Sequence, residues 1–260
     1  MLLIRSALFN VLFYLNMIVL MIIGLPTIFM GRHAVLFLAR TWARSSIWLL
    51  KIICGTRAEF RGIDKIPTGG YIIAPKHQSI WETFALCLYF PDFSFILKRE
   101  LTWIPVFGWY LKAAEQIAIN RSSGSSALSE AVERSRAILS QGRQIFIFPE
   151  GTRRPVGAPP LYKFGVAHIY AQTNVACVPV ALNAGLFWPR RSFVRRPGTI
   201  IVEFLEPIPA GLDRSKFFSE LQNRLESATN KLINESLQKN PELKQYVYSG
   251  DAKSSPLDKD

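Results

Sequence analysis

His77 and Glu82 are residues whose types and spacing could perform acid–base chemistry. They lie in the stretch 75-PKHQSIWET-83, directly after the apolar run from Tyr71 to Ala74. An imidazole acts as a general base when one ring nitrogen is free and a carboxylate holds the proton on the other. On one continuous helix, residues five apart point about 140° away from each other, so a contact requires a turn before the helix begins. The alternative is a surface turn with two ordinary polar residues.

A second chemical motif is 148-FPEGTRRP-155, which follows the most apolar strand candidate of the chain. A glycine turn that presents backbone groups, a hydroxyl and guanidiniums suits an anionic group such as a phosphate. Cations also follow two other strand candidates: Lys98 opens 98-KRELTWIPVFGWYL-111, and Arg121 lies in 117-IAINRSSG-124. Ligands gather outside the carboxyl ends of strands in an α/β sheet, so these side chains are expected at one sheet edge. An anionic substrate would explain this collection of like charges, and a basic turn without a ligand is the alternative.

The elements that must position these residues follow from the hydrophobic patterning. Beyond Gly55, short apolar runs alternate with helical stretches, which predicts an α/β fold with a mixed sheet covered by helices on both faces. Strands are predicted at residues 57–62, 71–75, 94–98, 116–120, 144–149, 176–182 and 200–205. Helices are predicted at residues 81–89, 125–140, 163–171 and 214–237. The aromatic, proline-broken segment 98–111 is interpreted as a membrane-facing loop.

The N-terminal region has the composition of a membrane anchor. Ala7 to Met30 is an uncharged run of 24 residues, long enough for a hydrocarbon core of about 30 Å and too long for a signal peptide. Arg32 to Cys54 is apolar with its basic residues on one side, which predicts a helix lying in the membrane interface. A helix that faces the protein core is the alternative. For the first helix, both a full crossing and a position within one leaflet are compatible with the pattern.

Composition and charge bound the domain organisation. A net charge of +12 with 49% hydrophobic residues fits a protein that lies against an anionic membrane. Residues 1–55 are expected to be membrane-anchoring helices, residues 56–240 an α/β domain, and residues 241–260 a polar, loose tail. Because only Arg5 precedes the first helix, the positive-inside rule places the α/β domain in the cytoplasm. The three widely spaced cysteines are expected to be reduced core residues.

The loop 188-WPRRSFVRRPG-198 is a candidate membrane contact. Its arginines stand among Trp and Phe, and each basic residue near an anionic surface contributes about 1 kcal/mol of attraction. The four predicted contact residues are Arg190, Arg191, Arg195 and Arg196. A solvated basic loop is the alternative.

With these motifs assembled, the chain resembles the bacterial 1-acylglycerol-3-phosphate acyltransferases, also called lysophosphatidic acid acyltransferases. The His-x4-Asp motif of that family corresponds to His77 and Glu82, and its Phe-Pro-Glu-Gly-Thr-Arg motif is complete from Phe148 to Arg153. The remaining matches are Lys98, Glu100, Leu101, Pro105 and Gly108 in one block, Arg121 in another, and Val178, Pro179 and Val180 in the last.

Three positions depart from the family pattern. Glu82 replaces the usual Asp, Lys76 stands where Asn commonly precedes the His, and Asn120 stands where Asp commonly precedes the Arg. Because Glu is one methylene longer than Asp, it reaches the ring only if the backbone lies farther away or the side chain folds back.

The resemblance implies an enzyme of phospholipid biosynthesis in the bacterial inner (cytoplasmic) membrane, with the acyltransferase domain at residues 56–240 facing the cytoplasm. It would transfer an acyl chain from acyl-CoA or acyl-carrier protein to the sn-2 hydroxyl of 1-acylglycerol-3-phosphate, giving phosphatidic acid. His77 is then the base and Glu82 its orienting partner. The expected phosphate-binding residues are Lys98, Arg121 and Arg153. The expected pocket-shaping residues are Glu150, Gly151 and Thr152, with Glu150 fixing a cation or a glycerol oxygen.

Neither a metal nor a bound cofactor is required, and the expected partners are membrane lipids, lysophosphatidic acid and the acyl thioester. Other functions remain as alternatives. The acceptor could be another lyso-lipid, such as a lyso-aminolipid. A non-catalytic membrane-bound lipid-binding protein predicts that His77→Ala leaves lipid turnover unchanged. A nucleic-acid binder, suggested only by the net charge, predicts a salt-dependent affinity that survives deletion of residues 1–55.

Overall fold

A seven-stranded sheet forms the centre of the computed structural model, which describes residues 1–248 apart from the side chain of Arg121. The strands are β1 (Thr56–Arg61), β2 (Ile72–Pro75), β3 (Phe93–Lys98), β4 (Ile117–Ile119), β5 (Gln144–Phe146), β6 (Cys177–Leu182) and β7 (Gly198–Phe204). Their order in space is β1-β7-β6-β2-β5-β3-β4. Each of these strands overlaps a predicted one, so the strand predictions are confirmed.

The sheet is mixed, and its parallel part holds the segments of chemical interest. β6, β2, β5, β3 and β4 are neighbours that run parallel, whereas β7 pairs antiparallel with β6 and parallel with β1. The carboxyl ends of β2, β5, β3 and β4 therefore lie along one edge. The segments that follow these four strands meet there, as the patterning predicts.

Helices surround the sheet. They are α1 (Leu2–Ile23), α2 (Arg32–Leu49), α3 (Trp81–Ala85), α4 (Phe107–Ala113), α5 (Gly124–Leu139), α6 (Gly165–Thr173), α7 (Ala184–Phe187) and α8 (Arg214–Lys239). The predicted helix at 81–89 is α3 followed by a 3-10 turn at Leu86–Tyr89. The predictions at 125–140, 163–171 and 214–237 correspond to α5, α6 and α8. The interpretation of 98–111 as a loop is wrong from Phe107 onward, where α4 begins. The residue before this helix, Val106, has a φ of 63°.

Each face of the sheet carries its own hydrophobic cluster, because successive side chains of a strand point to opposite faces. One cluster joins strand residues Ile73, Phe146 and Val178 to Phe9 of α1, Val35 of α2 and Trp81 of α3. The other joins Ile72, Ile145 and Cys177 to Ala131 of α5, Val166 of α6 and Leu221 of α8. The prediction of a mixed sheet with helices on both faces is confirmed.

Helix α1 lies along the α/β domain. Phe9 and Phe13 are buried, with ring centroids 5.2 and 5.3 Å from that of Trp188. Near the other end of α1, the Tyr110 hydroxyl of α4 donates a hydrogen bond of 2.6 Å to the carbonyl of Met21. Among the described residues, α1 is the one helix long and apolar enough to cross a membrane. Its buried face belongs to the core of the domain.

Helix α2 is also attached to the domain. Arg32 forms a two-pronged ion pair with Asp92, which precedes β3, at 2.9 to 3.1 Å. Val35 and Leu36 are buried, whereas Trp48 on another side is 60% exposed. One side of α2 therefore faces the protein core, as the alternative expectation for this segment had it. Another side carries an exposed aromatic residue.

Residues 241–248 contradict the prediction of a loose tail from residue 241. Leu243, in the 3-10 turn Pro241–Tyr246, is 3% exposed. The Tyr248 N–H donates to the carbonyl of Val156 at 2.8 Å. This stretch is held because its apolar side chains pack on the domain. Residues 249–260 lie outside the described residues.

Candidate active site

The structure brings His77 and Glu82 into direct contact. The chain turns between β2 and α3, and His77 Nδ1 lies 2.9 Å from Glu82 Oε1. The same oxygen accepts the backbone N–H groups of Gln78 and Ser79, each at 2.7 Å. Because a carboxylate only accepts hydrogen bonds, Nδ1 carries the ring proton and Nε2 is left as the acceptor. This is the arrangement that a general base requires.

The longer side chain of Glu82 folds back to make this contact. Glu82 is the second residue of α3, and helical side chains lean toward the N-terminus of their helix. That direction brings its carboxylate onto the two backbone N–H groups of the turn. Glu82 is fully buried, and its Oε2 has no hydrogen-bond partner among the described residues.

The loop after β5 holds His77 from the other side. The Phe148 ring stacks on the His77 imidazole, with centroids 4.1 Å apart and planes at 25°. The His77 N–H donates to Glu150 Oε2 at 2.9 Å, and the His77 carbonyl accepts the N–H of Arg154 at 2.8 Å. No described residue forms a hydrogen bond to Nε2, which is the atom that a substrate hydroxyl would meet.

Glu150 holds a cation, and that cation is the ammonium of Lys76. Lys76 Nζ lies 2.8 Å from Glu150 Oε1, and Glu150 is 1% exposed. Burial raises the pKa of Glu150, and the positive charge of Lys76 opposes that rise. Gly151 has φ of 67°, which allows its N–H to close a turn onto the Phe148 carbonyl at 3.0 Å. Thr152 is exposed beside this turn.

The predicted phosphate-binding cations follow three adjacent strands. Lys98 is the exposed last residue of β3, and Arg153 is half-buried after β5. The backbone of Arg121 begins a 3-10 turn after β4, and its side chain lies outside the described part of the chain. Within that part, neither Lys98 nor Arg153 has an acidic partner. Both charges are therefore available to an anionic ligand.

The structure corrects the prediction that Arg195 contacts the membrane. Arg195 is 6% exposed, its Nη2 donates to Asn10 Oδ1 at 2.8 Å, and its guanidinium lies 4.3 Å from the Trp188 ring centroid. Burial lowers the pKa of Arg195 to about 10. Arg195 therefore joins the loop to α1. Its burial is tolerated because its guanidinium donates hydrogen bonds and contacts an aromatic ring.

The other arginines of this loop differ in exposure. Arg196 is half-buried, with its guanidinium 3.4 Å from the ring centroid of Tyr246. Arg190 is half-buried and Arg191 is exposed. For these three residues, membrane contact stays a prediction.

Sequence reasoning missed two residues next to the base. Lys76 stood out only as a departure from the family pattern, and Glu226 of α8, which accepts a hydrogen bond from Lys76, did not stand out at all. One signal was present: a lysine directly after a fully buried strand must find a carboxylate, because lysines are rarely buried without a partner.

Comparisons with known proteins show which family the chain is similar to. Residues 57–183 match the family model described as Acyltransferase. The 1-acyl-sn-glycerol-3-phosphate acyltransferase of Pseudomonas aeruginosa is 38% identical over 191 residues, which cover 74% of each chain. The alpha form of the mouse enzyme with the same name is 30% identical over 162 residues, 61% of this chain and 57% of the mouse chain.

One solved structure has the same fold. The crystal structure of the 1-acyl-sn-glycerophosphate acyltransferase of Thermotoga maritima superposes with a TM-score of 0.72. The match covers 89% of this chain and 99% of that chain, at 21% sequence identity.

Proposed function

This chain belongs to the 1-acylglycerol-3-phosphate acyltransferase family, and we propose that it acylates the sn-2 hydroxyl of 1-acylglycerol-3-phosphate. The acyl donor is a thioester, acyl-CoA or acyl-carrier protein, and the product is phosphatidic acid. The observation that carries the proposal is the contact between His77 Nδ1 and the buried Glu82, beside the loop that holds Arg153.

His77 is the general base of the proposed reaction. Its Nε2 takes the proton of the acceptor hydroxyl while that oxygen attacks the thioester carbonyl, forming a tetrahedral intermediate. The intermediate collapses, the carbon–sulfur bond breaks, and the imidazolium returns the proton to the departing thiolate. Glu82 holds Nδ1–H throughout and stabilises the imidazolium by its charge. Base catalysis of this kind is typically worth about 10²- to 10⁴-fold in rate.

Cations at the same sheet edge select the acceptor. Lys98 and Arg153 have no acidic partner in the part of the chain that the structure describes, and Arg121 follows the strand next to that of Lys98. A guanidinium binds phosphate oxygens in two-pronged hydrogen bonds. A phosphate held there positions the glycerol hydroxyl, and an acceptor without an anionic group lacks this contact.

Helix α1 supports a position of the enzyme within one leaflet. At the start of α1, Ser6 Oγ accepts the N–H of Arg195 at 2.9 Å, and at its end Met21 is bound by Tyr110. A helix of 22 residues is about 33 Å long, so a full crossing would separate these two contacts across the bilayer. Both contacts belong to one α/β domain, which favours a helix that lies along the membrane surface.

The outward side of α1 supplies the apolar surface for that position. Its exposed large residues include a set that recurs every three or four positions: Ile4, Leu8, Val11, Leu15, Ile18 and Ile22. This spacing lines one face of a helix, opposite to the face that packs on the domain. A helix that does not cross the bilayer leaves the domain in the compartment where the chain is made, so we place the domain on the cytoplasmic side of the bacterial inner membrane.

The test is an acyl-transfer assay with purified protein, an acyl thioester and lysophosphatidate. Wild type is expected to form phosphatidic acid, and His77→Ala is expected to lower kcat by about 10²- to 10⁴-fold with an unchanged melting temperature. His168→Ala is the matched control, because the His168 ring lies on α6 and contacts Arg214, away from His77. Its turnover is expected to equal that of wild type.

The acceptor is tested in the same assay. A wild type that acylates a lyso-aminolipid in preference to lysophosphatidate contradicts the proposed substrate. A His77→Ala variant with wild-type turnover contradicts the proposed mechanism.

A further inference from the structure

Lys76 forms a buried ion cluster directly behind the proposed base. Its Nζ donates to Glu150 Oε1 at 2.8 Å and to Glu226 Oε1 at 2.5 Å. The side chains of Lys76, Glu150 and Glu226 are 6%, 1% and 21% exposed. Glu226 lies on α8, outside residues 57–183 that match the family model.

The cluster is connected to the base through the backbone. Glu150 uses one oxygen for Lys76 and the other for the N–H of His77. The next link outward is Tyr162, whose hydroxyl donates to Glu226 Oε1 at 2.8 Å and whose ring centroid lies 5.2 Å from Lys76 Nζ. A continuous chain of contacts therefore runs from α8 through Lys76 and Glu150 to His77.

We infer that Lys76 and Glu226 are positioning residues, which hold Glu150 on the His77 N–H and thereby set the position of the imidazole. The inference rests on the proposed function of His77 as the base. Without the ammonium, Glu150 and Glu226 are two neighbouring carboxylates with no cation between them. Because both carboxylates lie around the position of the lost ammonium, their like charges repel. Glu150 then turns away or takes up a proton.

Stability alone does not explain the cluster. A buried ion pair contributes about as much as apolar residues of similar volume, or less. A separate ion pair already connects α8 to the sheet: Arg61 of β1 binds Glu235 with two hydrogen bonds of 2.8 and 2.9 Å. What distinguishes the Lys76 cluster is its direct connection to the backbone of His77.

The first experiment separates positioning from folding. Lys76→Met is expected to lower kcat on the order of 10²-fold, the effect of a misplacement of about 1 Å, with KM for both substrates within about twofold of wild type. Glu226→Gln is expected to lower kcat by less, because its oxygen still accepts from Lys76. The double variant is expected to match Lys76→Met alone, since Glu226 acts on Glu150 only through Lys76.

Arg61→Met combined with Glu235→Gln is the matched control. It removes an ion pair between α8 and the sheet that does not touch His77 or its supports. This control is expected to lower the melting temperature and to leave kcat unchanged.

The second experiment is chemical rescue. A cavity of about 170 Å³ lies beside the cluster, lined in part by Lys76, Gln78, Glu226 and Thr229. Lys76→Ala enlarges it enough for a small amine. Methylammonium is expected to raise kcat of Lys76→Ala at least fivefold, whereas tetramethylammonium, which has the same charge but no N–H, is expected to have no effect.

Three outcomes overturn the inference: Lys76→Met with kcat within about twofold of wild type, a control pair that loses as much kcat as Lys76→Met, or methylammonium that restores no more than tetramethylammonium. If Lys76→Met does not fold, Glu226→Gln and the rescue of Lys76→Ala decide. A wild type without turnover on lysophosphatidate contradicts the proposed function instead, and the variants are then assayed with the acceptor that wild type uses.

Discussion

The two oxygens of Glu82 have unequal surroundings. Oε1 accepts from the His77 ring and from two backbone N–H groups, whereas the buried Oε2 accepts from no described residue. One oxygen therefore fixes both the turn and the ring. The position of that oxygen depends on the length of the side chain, because the backbone of α3 is held by the core around Trp81.

Glu82→Asp is expected to lower kcat on the order of 10²-fold, although Asp is the residue usual in the family. Its carboxylate falls about one methylene short of the ring, and misplacements of about 1 Å cost that much. Glu82→Gln keeps an acceptor oxygen but loses the charge that stabilises the imidazolium, so a loss of about 10²- to 10⁴-fold is expected. Steady-state kinetics measure both, with Glu130→Gln on the exposed side of α5 as the control. A fully active Glu82→Asp would contradict the conclusion that the length of the Glu82 side chain sets its contact with the His77 ring.

At the scale of elements, α8 connects distant parts of the sheet. One end of its buried face packs under β6 and β2, Glu226 contacts Lys76, which precedes His77, and Glu235 binds Arg61 of β1. Hydrogen bonds from Arg61 and Lys239 lower the pKa of Glu235 from its usual 4.5 to about 2. Folding therefore favours the ionised form of this carboxyl.

Glu235→Gln is expected to lower the free energy of unfolding by about 1 kcal/mol at pH 7, since the pair is partly exposed and screened. The pKa is lower in the folded state, so this stabilisation is present above about pH 4.5 and is lost as the pH falls toward 2. Urea unfolding in detergent at several pH values measures it. The difference between wild type and variant should shrink over that range, and a constant difference would show that the charge is not its source.

At the scale of the whole molecule, α1, α2 and the α/β domain share one core. Asn10, in the N-terminal half of α1, donates to the carbonyl of Phe193 at 3.0 Å, and Arg32, at the start of α2, binds Asp92. The exposed apolar stripe of α1 is therefore fixed relative to His77. Under the proposed function, a lysophospholipid would keep its chain in the bilayer while its headgroup reaches the sheet edge.

This arrangement predicts that both ends of α1 face the same compartment. Single cysteines at Arg5→Cys and His33→Cys are expected to react with a membrane-impermeant maleimide from the cytoplasmic side only. The natural thiols do not interfere, because Cys54, Cys87 and Cys177 are buried and burial raises the pKa of Cys54 to about 11. Labelling of the two positions from opposite sides of the membrane would establish a full crossing instead.

The sequence predicted the fold better than the supports of the site. Most strands were recognisable because they are short apolar runs bounded by turn residues, and β6 is buried along its whole length. α4 was missed because Pro105 and several aromatic residues hide a helix of seven residues. Arg195 was placed on the surface because nothing in a basic loop indicates that α1 covers it.

What the sequence by itself determined is the order of the strands along the chain and the residue types delivered to their carboxyl ends, because hydrophobic period and motif spacing are local properties. It also specified a base and an acid close enough to meet if the chain turned between them. Only the tertiary structure decided that Lys76 sits between Glu150 and Glu226, because Glu226 lies 150 residues away along the chain. It likewise decided that α1 packs along the domain, since burial depends on which surfaces meet after folding.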